Sequence, residues 1–179
     1  MTSKRSSFTE YQYEQILIYE YKSNLYLIQR GQQGVTLNPA HGEDQRAAEN
    51  VNLYAKVSIE IEDYLLGSKI IEALGLFDTE PPNFEPWETE KLRANIKKWL
   101  GAKGQNDIKT NTRLVDVVRR LNRDGGYEIT PYDNFNSNLW CGPMENSCIM
   151  LASSASQVDV AKSVRQAFQM ATHHPNYSA

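Results

Sequence analysis

The stretch YAKVSIEIE, residues 54–62, constrains this chain more than any other. Ala55, Val57, Ile59 and Ile61 alternate strictly with Lys56, Ser58, Glu60 and Glu62. Period-two alternation marks a strand with one face buried and the other turned to water or a partner. Such a strand needs an apolar layer to lie against, and the next residues supply one. Asp63 reads as an N-cap, and Leu66, Ile70, Ile71 and Leu74 recur at helical spacing before Gly75 gives a stop signal.

The rest of the chain repeats this mixture. QILIYEY and NLYLIQR are rich in Ile, Leu and Tyr, and the break Lys22-Ser23-Asn24 joins them as a hairpin. Residues 31–52 read as a loop with a short strand around Val35 and Leu37. Pro86 opens a second helix, WETEKLRANIKKWLGA, whose apolar side carries Leu92, Ile96 and Trp99 or Leu100. Thr112 to Val117 reads as a short helix. VRRLN and YEIT then form a hairpin through Asp124-Gly125-Gly126, because Asp-Gly and Gly-Gly supply positive φ. Pro131 ends that strand or puts it at an edge.

NSCIMLASS reads as a final strand. Ser156 and Asp159 cap a closing helix striped with Val160, Ala161, Val164, Ala167, Phe168 and Ala171. Hairpins imply antiparallel pairing. The expected fold is therefore α+β, a mostly antiparallel sheet with helices packed against it, in one domain over residues 11–172. Residues 1–10 and 173–179 are expected to be flexible tails. At 179 residues the domain can bury a core without disulfide or metal staples.

Charge is segregated along the chain. From Glu60 to Glu90 nine acidic residues face one basic residue, Lys69, and from Lys91 to Thr130 ten Lys or Arg face four Asp or Glu. The acidic segment includes DTEPPNFEPWETE, which sets Phe84 and Trp87 among Asp78, Glu80, Glu85, Glu88 and Glu90. Two of these carboxylates, Glu88 and Glu90, suit the first turn of the second helix. The others, with the two aromatics, suit either a solvated linker or a docking surface for a basic partner. The net charge of −3 disfavours a general nucleic-acid binder.

Residues that would carry chemistry are sparse. Gly31 and Gly34 lack the Lys-Ser/Thr of a phosphate loop. His41, His173 and His174 have no carboxylate at ligand spacing. Cys148 sits in an apolar strand, and Cys141 has no nearby histidine to act as its base. Glu60 and Glu62 could imitate an acid/base pair but fit a solvated strand face better. No catalytic residue, metal or cofactor is assigned. No apolar run reaches the roughly 18–20 residues of a membrane span, and no signal-peptide pattern opens the chain. A cytoplasmic location is expected.

The order of segments resembles a known family. The alternating strand, LGSKIIEAL, an acidic linker, IKKWLGA, IKTNTRLVDV, a hairpin ending in YEITP, NSNLW, and ASQVDVAKSVRQAF follow one another over residues 50–172. This is similar to the immunity proteins of bacterial contact-dependent growth inhibition, the CdiI family. The resemblance implies a cytoplasmic protein of Gram-negative bacteria that binds the C-terminal toxin domain of a cognate surface effector. Such toxins are frequently nucleases, and the immunity protein acts by binding alone.

The resemblance agrees with the charge pattern. A nuclease carries Lys and Arg for phosphates, so an acidic cover speeds encounter and rejects wrong partners. Asp78, Glu80, Phe84, Glu85 and Trp87 are the candidate toxin-binding residues, extended by Glu60 and Glu62. Two rivals remain open. One is a small enzyme with a site assembled from scattered polar residues. The other is a regulatory nucleic-acid binder using Arg119, Arg120 and Arg123.

Overall fold

A computed structural model describes residues 13–32, 36–37, 44–45, 48–77, 89–121, 125–134 and 142–178. Two long strands open it, β1 (Tyr13–Tyr21) and β2 (Asn24–Gln32), with β3 (Thr36–Leu37), β4 (Asp44–Gln45) and β5 (Ala48–Ser58) after them. Three helices follow, α1 (Asp63–Gly75), α2 (Thr89–Leu100) and α3 (Gln105–Asn111). Then come β6 (Arg113–Arg120), β7 (Gly126–Asp133), β8 (Gly142–Pro143), a 3-10 turn (Glu145–Ser147), β9 (Ile149–Ala152) and α4 (Gln157–Met170).

Seven strands form one antiparallel sheet in the order β5-β2-β1-β6-β7, with β8 and β9 both pairing to β7. β3 and β4 make a separate ribbon. The alternation of side chains in β1 explains both layers. Ile16 and Ile18 face one side, Leu17 and Tyr21 the other.

On the first side, these isoleucines with Leu25, Leu27, Val115, Val117 and Ile129 meet the stripes of α1 (Leu66, Ile70, Leu74) and α4 (Val160, Val164, Phe168). Each fully buried Leu or Ile contributes roughly 1.5–3 kcal/mol. On the second side, Leu17, Tyr21, Tyr26, Ile28 and Leu114 pack against Leu100 of α2 and Ile108 of α3. This is the α+β domain expected from the sequence.

Ion pairs close the flanks. Arg113 donates to Glu20 at 2.6 Å and to the Phe168 carbonyl at the end of α4 at 2.6 Å. Ser156 and Asp159 form the reciprocal cap of α4: the Asp159 N–H donates to Ser156 Oγ, and the Ser156 N–H to Asp159 Oδ2.

Three expectations are corrected. Residues 112–117 are not helical. Arg113–Arg120 is a strand, since β-branched Val115 and Val117 alternate with Asp116, and the helix lies earlier, at α3. Pro131 neither ends its strand nor marks a bare edge. It lies within β7 where the neighbour changes from β9, ending at the Ile129 pair, to β8, starting at the Tyr132 pair. The alternating strand begins earlier than Tyr54, at Ala48, and stops at Ser58.

The β1–β2 turn places two non-glycine residues at positive φ, Lys22 at 48° and Ser23 at 60°. A tight primed turn requires this, and L-residues resist it. Ser23→Gly is therefore expected to raise stability by about 0.5–1 kcal/mol, read as a higher urea midpoint. An unchanged or lower midpoint would show that the turn carries no strain.

Candidate protein-binding surface

The sheet delivers Glu60 and Glu62 to a corner. β5 pairs with β2, and its last pair is Asn24 with Ser58, because β2 has no residue beyond the hairpin turn to continue it. The chain turns at once. The Ile59 N–H donates to the Ser23 carbonyl at 3.0 Å, the Glu60 N–H to Ser58 Oγ at 3.1 Å, and the Ile61 N–H to the Ser58 carbonyl at 3.1 Å. Serine side chains compete in this way with a continuing ladder. Glu60 thus lies in a turn and Glu62 holds the N-cap position of α1 without a side-chain capping bond, so neither stands on a strand face as the alternation implied. Both are exposed, while Ile59 and Ile61 are half-buried.

Arg165 of α4 fixes this corner. Its Nε donates to Asp63 Oδ1 at 2.7 Å, one terminal nitrogen to the Ile59 carbonyl at 2.7 Å, and the other to the Ile61 carbonyl. The planar fork of an arginine suits this triple contact, which a lysine could not reproduce. Asp63, expected as the N-cap, is instead the first helical residue, and its carboxylate is taken by Arg165.

Two large apolar side chains stand beside the acids. Tyr64 is 59% exposed and Leu65 is 48% exposed. Both sit in the first turn of α1 but off its buried stripe of Leu66, Ile70 and Leu74. Sequence reasoning did not single them out, although the stripe places them on the outward side of the helix.

Further along that side, Tyr54 and Ser68 donate to Glu72. A bulge in β5 turns Tyr54 toward the helix: Leu27 pairs with Ala55 and Ile28 with Leu53, leaving Tyr54 between them. The hydrogen bond to Glu72 pushes the Tyr54 phenol up to about 12, and the same bond holds the Glu72 carboxyl below its ordinary value.

Asp78, Glu80, Phe84, Glu85 and Trp87 lie outside the described residues. Their segment departs after Phe77, which is buried and packs on the Tyr13 ring with centroids 5.6 Å apart. Phe77 and the Glu60–Leu65 corner are at opposite ends of α1, whose length is about 20 Å at 1.5 Å per residue.

A second polar group occupies the other side of the sheet. Gln15 Nε2 donates to both oxygens of Asp116, at 3.0 and 2.8 Å, and Arg30 Nε donates to Gln15 Oε1 at 3.2 Å. Burial pushes the Asp116 carboxyl up to about 6. Arg119 pairs with Glu14, and Arg120 with Glu128 at 2.5 Å, so two of the three arginines considered for nucleic acid are matched within the fold. Arg123 lies outside the described residues. Among the described residues no three His, Cys, Asp or Glu side chains gather as a metal site, and no helix is long and apolar enough to cross a membrane.

Comparison with solved structures finds the same fold in chains of very different sequence. A protein of unknown function from Neisseria meningitidis matches with a TM-score of 0.67 at 16% identity, over 93% of this chain and 100% of that one. A chain from a CdiA-CT/CdiI toxin and immunity complex from Yersinia pseudotuberculosis matches with a TM-score of 0.65 at 11% identity, over 89% of this chain and 98% of that one. At these identities the likeness shows the fold. No protein-family model matches the sequence, and no curated protein does.

Proposed function

We propose that this protein is a cytoplasmic immunity protein. It binds and neutralises the C-terminal toxin domain of a contact-dependent growth inhibition effector, with no turnover of its own. The observation that carries the reading is the near end-to-end likeness to a chain of a toxin and immunity complex. The surface supports it: exposed carboxylates adjoin exposed Tyr64 and Leu65. A basic toxin, of which a nuclease is the leading kind, is the complementary partner. Asp78, Glu80 and Glu85 are proposed as further toxin-binding acids, with Phe84 and Trp87 as aromatic anchors.

The test is protection. The C-terminal domain of the proposed cognate effector is expressed in cells with and without this protein. Survival only with the protein, and co-elution of the two in a fixed ratio, are expected. Death in both cultures, or separate elution, would reject the reading. Catalytic consumption of a metabolite by the purified protein would favour the enzyme rival.

A further inference from the structure

We infer that the corner between β5 and α1 is where the partner docks. Tyr64 and Leu65 enter an apolar recess of a basic protein domain, and Glu60 and Glu62 face its lysines and arginines. This rests on the immunity reading and adds a location to it, at the opposite end of α1 from Phe77.

Four observations converge. First, scattered exposed apolar residues are ordinary, but Tyr64 and Leu65 are sequence neighbours, 59% and 48% exposed, on a helix whose buried stripe is already complete. Second, among the described residues neither Glu60 nor Glu62 takes part in an ion pair, whereas Asp63 is matched by Arg165. The corner therefore keeps two uncompensated negative charges around its apolar centre, the pattern of a central anchor within a polar rim.

Third, the corner is rigid before binding. Arg165 holds the Ile59 and Ile61 carbonyls and Asp63 together, and Ile59 is tied to the hairpin turn through the Ser23 carbonyl. A preorganised surface loses little conformational entropy on association. Fourth, the charge selects the occupant. A second copy of this chain would set Glu60 and Glu62 against their own counterparts, and an anionic membrane would repel them. A lysine- and arginine-bearing protein surface is attracted.

The test uses the full-length chain and the purified toxin domain, with association and dissociation rates measured at low and high salt. Glu60→Lys with Glu62→Lys is expected to slow association about tenfold or more at low salt, with the gap narrowing in 0.5 M salt. Tyr64→Ala with Leu65→Ala is expected to speed dissociation about tenfold or more, with little change in association.

Each substituted side chain is exposed, so thermal midpoints should stay near wild type and show that the variants fold. Glu145→Lys, an exposed acid on the 3-10 turn, should leave both rates unchanged. Wild-type rates in both corner variants would overturn the inference and leave the immunity reading standing. A toxin domain that wild-type protein does not bind would sink both. Equal slowing by Glu145→Lys would show a diffuse charge effect and would also overturn the corner as the site.

Discussion

Gly67→Ala is expected to cost about 3 kcal/mol or more of folding stability, because a methyl group there has nowhere to go. A Cβ at this position would lie 1.9 Å from the carbonyl oxygen of Gln157 and 2.5 Å from its carbon. Both atoms are backbone, at the start of α4, so no rotamer change relieves the overlap. The two helices must separate, and they carry the stripes that cover the first side of the sheet. Helix propensity alone would favour alanine by about 1 kcal/mol, so the steric effect must exceed that and reverse its sign.

The control lies in the same helix. At Gly75 the nearest atom to a new Cβ is a terminal nitrogen of Arg119, 3.9 Å away. Gly75→Ala should therefore be neutral or stabilising by up to about 1 kcal/mol. Thermal melts followed by circular dichroism decide the matter. A melting midpoint roughly 10 °C lower for Gly67→Ala is expected for a domain of this size. A midpoint equal to wild type would refute the close helix contact.

Asp116→Asn is expected to stabilise the protein at neutral pH and to do little in acid. The Asp116 carboxyl is pushed by burial from an ordinary 3.8 up to about 6 in the folded state. As pH rises from about 4, the unfolded chain ionises first while the folded chain retains its proton. Stability is thus fully present below the unfolded value and is lost progressively until pH passes the folded value near 6. Raising the folded-state carboxyl from 3.8 to about 6 amounts to roughly 3 kcal/mol.

The asparagine variant has no such proton to lose. The asparagine side-chain oxygen can still accept from Gln15 Nε2, which leaves the Arg30 donation to Gln15 Oε1 in place. Wild type and variant should have similar urea midpoints at pH 4, and the variant should be higher at pH 7.5. Glu72, Asp107 and Asp159 are held below their ordinary values by hydrogen bonds and pull the other way in acid, so the informative quantity is the difference between the two proteins. A difference that stays constant from pH 4 to 7.5 would count against a buried, destabilising carboxylate.

These two positions illustrate what the sequence exposes and what it conceals. The glycine inside LGSKIIEAL is visible as an oddity in a helix. Its partner, Gln157, lies about ninety residues away, and no local pattern links them. Gln15, Arg30 and Asp116 come from three strands and meet only through the pairing of β1 with β2 and β6. The alternation at Ala55–Ser58 gave the inward and outward sides correctly. It could not show where β5 stops, because that depends on where β2 begins. The run around Val115 fits both helical and strand periods when read alone. α3 was invisible, since QNDIKTN contains a single buried apolar residue, Ile108, and so has no stripe.

Part of the candidate surface was legible in the same sense. Glu60 and Glu62 are exposed, as period two expected, but a turn and a helix N-cap present them and not a strand face. Tyr64 and Leu65 required the helical wheel to be read for what it leaves outside, as well as for what it buries.

The strand order carries a consequence for synthesis. β5, β2 and β1 come from the first part of the chain and stand together, and β1 then waits for β6. The Gln15–Asp116 contact across that seam spans 101 residues. At ribosomal speeds of about 5–20 residues per second, the nascent chain holds the flank of β1 open for roughly 5–20 seconds. Unpaired strand flanks recruit other strands. A growing copy of this protein is therefore most vulnerable to misassociation with its neighbours on a polysome before its second half emerges.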